Sequence, residues 1–164
     1  MARTSAGLLP YRRGVHGELL VLVAQLGGPL WARRPRAWTV VKGEYDAGGR
    51  ADNGDDEGEP ALAAAEREFR EEMGVDAPPG DRVDLGEVRQ SGGKVVRVWA
   101  VEAPAELAFV ASETFEMEWP PRSGRRQSFP EVATAEWVDL ATARERMVAA
   151  QTAFLDRLED AMRR

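Results

Sequence analysis

The sequence predicts an α/β protein, a mixed central sheet covered by helices on two sides. Strand-like segments rich in β-branched and apolar residues flank one amphipathic helical stretch, and a second helical stretch ends the chain. No convincing interdomain linker interrupts them, and 164 residues fit a single domain over 1–164. Thr4 to Arg12, Glu18 to Gln25 and Trp38 to Val41 read as strands. Gly27-Gly28-Pro29 and Pro35 mark a loop between the last two. From Gly43 to Gly58, glycines mixed with Asp46, Asp52, Asp55, Asp56 and Glu57 cannot bury a core, so this stretch reads as an exposed loop. A helix follows over about Pro60 to Met73. Pro60 suits its first turn, Glu59 puts negative charge near its N-terminus, and Gly74 serves as its stop. Leu62, Ala65, Phe69 and Met73 step by three or four and form one buried stripe. Further strands are expected near Val83 to Arg89, Lys94 to Val101, Glu113 to Trp119 and Ala135 to Val138, then a helical tail from Ala141 with a break near Gln151.

Composition narrows the chemistry. There is no cysteine and one histidine, His16, which falls in a turn. Thiolate nucleophiles, Cys/His zinc sites and serine-histidine triads are therefore set aside, leaving carboxylates, cations and a metal bound through oxygen. A net charge of −6 argues against a stable nucleic-acid partner, although a local group of arginines can still meet a nucleotide. The longest apolar run, Leu19 to Ala24, falls far short of the ~20 residues that span a bilayer, so no membrane segment is expected. The first ten residues lack the features of a secretory signal, and the cytoplasm is the default compartment.

Glu68, Glu71 and Glu72 stand at i, i+3 and i+4 and project from one strip of the first helix. Two readings fit: a solvated face partly paired through Arg67–Glu71 and Glu66–Arg70, or a site for a hard cation such as Mg²⁺, which takes oxygen ligands. The surrounding residues favour the second. Glu59 to Val75 fits E-x7-R-E-U-x-E-E-x-G-U, with U a bulky apolar residue, and resembles the Nudix box. The family pattern opens with a glycine separated from the first glutamate by five residues, and this chain has Asn53 at that position; the counterpart is Gly43, which follows a strand. The difference implies an acidic, glycine-rich loop insertion over about residues 45–58, tolerable because loop closure entropy grows only logarithmically with length. It does not fit a calcium-loop spacing.

The similarity extends through Gly27 to Trp38, Lys42-Gly43-Glu44, Glu118 to Gly124 and Phe129-Pro130-Glu131, and looks like a branch of small bacterial Nudix proteins. Gln25-Leu26 and Val41 depart from that branch, which tends to have His-Pro and proline there. The resemblance implies a Nudix-type α/β/α sandwich and a pyrophosphohydrolase using Mg²⁺ or Mn²⁺. By position it makes Glu71 and Glu72 metal ligands, Glu68 a ligand or water-activating carboxylate, and the Lys42 carbonyl a main-chain ligand. Arg67 becomes an orienter of the box glutamates, with Glu59, Gly43 and Gly74 in support. Glu131, six residues before Trp137, matches the spacing of a further family glutamate that acts on metal or as general base; Glu116 and Glu118 are its rivals.

Substrate phosphates need cations, and Arg33, Arg34 and Arg36 in one loop with Arg122, Arg125 and Arg126 in another are the candidates. Trp31 and Trp119 stand beside those loops and are candidates for stacking a base. The expected partner is a small-molecule nucleotide, with a nucleoside or dinucleoside polyphosphate as the leading substrate. ADP-ribose, a sugar nucleotide, RNA 5′ ends and a non-catalytic nucleotide sensor are the alternatives. The number of copies is left open, a homodimer included.

Overall fold

The computed structural model describes residues 3–47 and 58–164. Its organising strand is β1 (Thr4–Arg13), apolar from Ala6 to Tyr11 and therefore able to be covered on both faces there. It runs parallel to β6 (Val95–Glu102) along its length, with Leu8 opposite Trp99. On its other side β1 pairs antiparallel first with β4 (Val41–Glu44) and then with β2 (Leu19–Leu26). β3 (Trp38–Thr39) and β9 (Val132–Asp139) pair with β2, and β5 (Val83–Arg89) pairs with β6, completing a seven-stranded mixed sheet.

Alternation along the strands divides the core into two layers. Leu8, Leu22, Val41 and Trp99 face one side and pack on Ala64, Ala65, Phe69 and Met73 of α1 (Ala61–Met73). Leu9, Val21, Val23, Val96 and Val98 face the other, against Ala143 of α2 (Leu140–Arg146) and Phe154, Leu155 and Leu158 of α3 (Thr152–Met162). The sandwich has the mixed sheet and two helical faces expected from sequence.

Several boundaries differ from that expectation, each for a local reason. The strand expected over Trp38 to Val41 is split, because the Val40 N–H donates to the buried Gln151 side chain at 2.9 Å instead of to a neighbouring strand. β4 continues through Gly43 to Glu44, the start of the expected loop, because it has the first residues of β1 to pair with. β7 (Thr114–Glu118) is joined by an unexpected β8 (Arg126–Pro130), whose polar residues carry no apolar alternation. The two form a separate ribbon with Phe115 and Phe129 rings 6.1 Å apart. β9 starts at Val132, three residues earlier than expected. The terminal helices part at Met147, where Val148 N donates to Trp38 O at 2.9 Å, and a 3-10 turn over Ala149–Gln151 leads into α3.

Most of the acidic insertion, residues 48–57, lies outside the described residues. Its base is tied, since Glu59 N donates to Asp46 O at 2.8 Å. No helix among the described residues is long and apolar enough to cross a membrane.

Phe69 is fully buried between α1 and the sheet. Phe69→Ala should lower unfolding free energy by about 3–5 kcal/mol in denaturant titrations, and a loss under about 1 kcal/mol would contradict this packing.

Candidate active site

A cleft of about 640 Å³ opens at the edge of the sheet beside α1, and side chains from distant parts of the chain converge on it. α1 supplies Glu68, Glu71 and Glu72; β4 supplies Lys42, Gly43 and Glu44; Glu113 precedes β7, and Glu131 lies between β8 and β9.

The helix presents its glutamates in a fixed arrangement because its ends and its packing are fixed. Gly74 stops α1 in the left-handed conformation, φ 76°, with its N–H on Arg70 O. A side chain there would also collide with the backbone of Ala111. The stripe that buries Phe69 and Met73 carries Glu68 and Glu72 partly inward with it, 7% and 6% exposed. Gly43 makes room for Glu68, since a Cβ at that position would meet the Glu68 carboxylate at once. β4 is itself drawn close to β1 by Gly7, where a Cβ would meet Val41 O at 2.5 Å.

Arg67 is the cation that orders the acids. Its Nε and Nη2 donate to the two oxygens of Glu59 at 2.9 and 2.8 Å, and its Nη1 donates to Glu68 Oε1 at 2.9 Å and Glu71 Oε2 at 3.0 Å. The Arg67 hydrogen bonds hold the Glu59 carboxyl below its usual range. Glu68 stays above it, because burial outweighs the same arginine.

Glu72 has no such partner. Its Oε2 is buried and unbonded, and burial, reinforced by Glu131, Glu68, Glu113 and Glu71, pushes its carboxyl up to about 8. Glu131 is raised as well, chiefly by partial burial, with Lys42 pulling the other way and Glu113 adding to the rise. The two loop glutamates are placed by backbone bonds: Glu113 N to Glu71 O at 3.0 Å, Glu131 N to Glu113 O at 2.9 Å, and Gly27 N to Glu131 O at 2.9 Å.

On the opposite side stand Lys42, Lys94 and Arg3. Burial, with Lys94 nearby, lowers the Lys42 ammonium to about 8. Lys94 and Arg3 share Glu44 at 3.4 and 3.3 Å.

These donors suit a divalent cation. Among the described residues no three acidic or histidine side chains form a closed metal cage. Mg²⁺ needs none, because it takes one or two carboxylates and completes its shell with water and substrate phosphates. The unbonded buried oxygen of Glu72 amid four other carboxylates fits a divalent cation better than a purely structural role.

The structure brings Glu68, Glu71, Glu72, Lys42, Gly43, Glu131 and Trp31 to the cleft, with Glu59 behind Arg67. It places the expected phosphate arginines elsewhere. Arg33 and Arg122 are exposed and do not line the cleft, Arg122 occupying a turn with φ 61°. Arg36 donates to Arg144 O and Met147 O at 3.1 and 2.9 Å, satisfying carbonyls at the end of α2. Arg34 covers one face of Trp31 at 5.0 Å. Glu116 is on the ribbon, 3.7 Å from Arg126, and neither it nor Glu118 reaches the cleft.

Sequence reasoning missed Glu113, the Lys42 side chain, Lys94, Gln90 and Gln151. One signal was available: Lys42 and Lys94 are the only lysines among 22 basic residues, and both line the cleft.

A family model described as NUDIX domain matches residues 1–158. Comparison with curated protein sequences finds no match. Among solved structures, a C. elegans Ap4A hydrolase in a binary complex has a TM-score of 0.61 at 19% identity, covering 97% of this chain and 98% of that one. RenU, a Nudix hydrolase from M. smegmatis, scores 0.57 at 18% identity, covering 98% and 86%. The NUDIX domain of Shewanella oneidensis NrtR, crystallised with ADP ribose, scores 0.56 at 15% identity, covering 99% and 89%. At these identities the likeness establishes a shared fold.

The raised Glu72 carboxyl sets a pH dependence. Its carboxyl holds its proton up to about 8 in the fold against 4.5 ordinarily, so the folded chain binds more protons than the unfolded one between those values. Metal-free protein should therefore lose this share of its stability as pH rises across that window. Glu72→Gln should remove this share of the slope and leave the variant about 1–3 kcal/mol more stable than wild type above pH ~8.5 in chelator. Parallel stability curves for the two proteins would contradict the placement of Glu72.

Proposed function

Because the chain belongs to the NUDIX domain family over residues 1–158, we propose that it is a pyrophosphohydrolase dependent on a divalent cation, Mg²⁺ or Mn²⁺. Its substrate on this reading is a nucleoside polyphosphate or dinucleoside polyphosphate. The observation that carries the proposal is Glu72, buried with an unbonded oxygen among Glu68, Glu71, Glu113 and Glu131. A fold gains no stability from such an arrangement without a cation to complete it. The descriptions of two solved relatives name Ap4A hydrolysis and bound ADP ribose. Both compounds contain phosphoanhydride-linked nucleotides, and that common chemistry is what we carry over.

In this reading Glu71, Glu72 and Glu68 hold the cation with the Lys42 main-chain carbonyl. Bound there, it supplies charge screening for the diphosphate. Arg67 keeps Glu68 and Glu71 in place and, through Glu59, is itself prevented from swinging into the cleft. Glu131 approaches from across the cleft on backbone bonds and takes the proton of the attacking water; partial burial raises its carboxyl and so makes the carboxylate a stronger base than an exposed glutamate. The Lys42 and Lys94 ammonium groups meet substrate phosphates in place of the surface arginines. Trp31 offers a ring beside the same space. A sensor without catalysis is disfavoured, because every acidic position of the helix motif is kept. A cysteine-free nucleotide hydrolase fits the cytoplasm.

A panel of nucleotides assayed with Mg²⁺ and with chelator tests the reading: hydrolysis should require the metal. Glu71→Gln and Glu72→Gln should each nearly abolish turnover in folded protein, and wild-type rates in both would contradict the metal assignment. Glu131→Gln should lower kcat about 10²–10⁴-fold with little change in KM, while Glu116→Gln and Glu118→Gln do much less. A normal Glu131→Gln enzyme would remove it from the role of base. Deleting about ten residues between Tyr45 and Gly58 should preserve activity, since Asp46 and Glu59 already close the base of that loop. Complete inactivity of a folded deletion would instead place the insertion in the site.

A further inference from the structure

We infer that Gln90 determines which base the cleft accepts, selecting a carbonyl oxygen where adenine and cytosine carry an amino group; this rests on the nucleotide-hydrolase reading and deepens it. The polarity is set by a backbone donor. Val40 N–H, between β3 and β4, donates to Gln151 Oε1 at 2.9 Å. Gln151 is fully buried, so its carboxamide cannot turn over without setting its NH₂ against that N–H and leaving the Val40 N–H without an acceptor. Its Nε2 must point the other way, and it donates to Thr39 Oγ1 and to Gln90 Oε1, both at 2.9 Å. Thr39 is free to accept because its own proton has an acceptor in Val40 O at 2.9 Å.

The chain of bonds fixes Gln90 as well. Its Oε1 is turned inward to Gln151, which leaves its Nε2 as the outward group on a half-buried side chain that lines the cleft. Among the described residues no acceptor takes the Gln90 Nε2 protons. The cleft thus presents an oriented pair of N–H donors that cannot become an acceptor while Gln151 stays in place. Leu26, Trp31, Val132 and Val148 line the same cleft and give it apolar surface for a ring. A donor in that setting favours O6 of guanine or hypoxanthine and O4 of uracil. It opposes the amino groups at the same positions of adenine and cytosine, where two donors would face each other.

A phosphate oxygen is also an acceptor, and the test separates the two sources. Hydrolysis of ITP, ATP, UTP and CTP is measured for wild type and variants, with calorimetric binding of IMP and AMP alongside. Wild type should favour ITP over ATP and UTP over CTP by about tenfold or more in kcat/KM. Gln90→Leu should erase the preference by lowering the keto substrates selectively. Gln90→Glu, which keeps an oxygen for Gln151 and turns the other outward, should reverse it. Gln151→Glu should reverse it too, by freeing Gln90 to turn over; if that buried carboxylate prevents folding, the two Gln90 variants decide. Wild type without a keto preference would overturn the inference, as would an equal loss on all four nucleotides in Gln90→Leu, which would assign the donor to phosphate. If no triphosphate is hydrolysed but IMP binds more tightly than AMP, the hydrolase reading fails and the role of Gln90 stands. Equal binding in that case overturns both.

Discussion

One guanidinium holds three carboxylates, and the cleft depends on that arrangement. Arg67 engages Glu59, Glu68 and Glu71 within 3.0 Å, which uses four of its five N–H donors and offsets only part of the charge around it. Glu72 receives nothing from it, and Glu113 and Glu131 are brought in opposite by backbone bonds. Stability alone would favour neutral side chains here, because buried like charges cost more than a nearby arginine returns. On the proposed reading, the residual negative charge is kept for a divalent cation.

The sheet makes this arrangement possible through its register. Because β1 pairs with β4 before it pairs with β2, the short β4 strand lies directly beside the N-terminal end of β1, and Val41 and Gly43 come to face α1 while Lys42 takes the opposite face. Two absent side chains let the layers close: Gly7 admits the β4 backbone and Gly43 admits Glu68. The break at Val40 that ends β3 also creates the donor that orients Gln151. A single interruption in the ladder thus sets the neutral side of the cleft.

What could be read from the sequence was what lies within one element or at a fixed distance along the chain. The helix from 61 to 73, its buried stripe and its glutamates follow from a 3.6-residue period, and Glu131 was located by its spacing to Trp137. Glu113 and Gln90 carry no local pattern; they reach the cleft only because loops from opposite ends of the sheet meet there. Arg36 looked like a phosphate ligand because guanidinium suits phosphate, yet the same donors suit the free carbonyls at the end of α2, which only the packing supplies. β8 was invisible for a related reason. Its residues 126–130 are nearly all exposed, so pairing with β7 left no alternation to detect.

The central claim is that the uncompensated acids of α1 are held ready for a divalent cation. The most direct measurement is the melting midpoint of wild-type protein at pH ~8 with millimolar Mg²⁺ or Mn²⁺ against the same protein in chelator, with Glu72→Gln run in parallel. Wild type should gain several degrees from the metal and the variant little or none. Equal midpoints for wild type with and without metal, or an undiminished gain in the variant, would contradict the account.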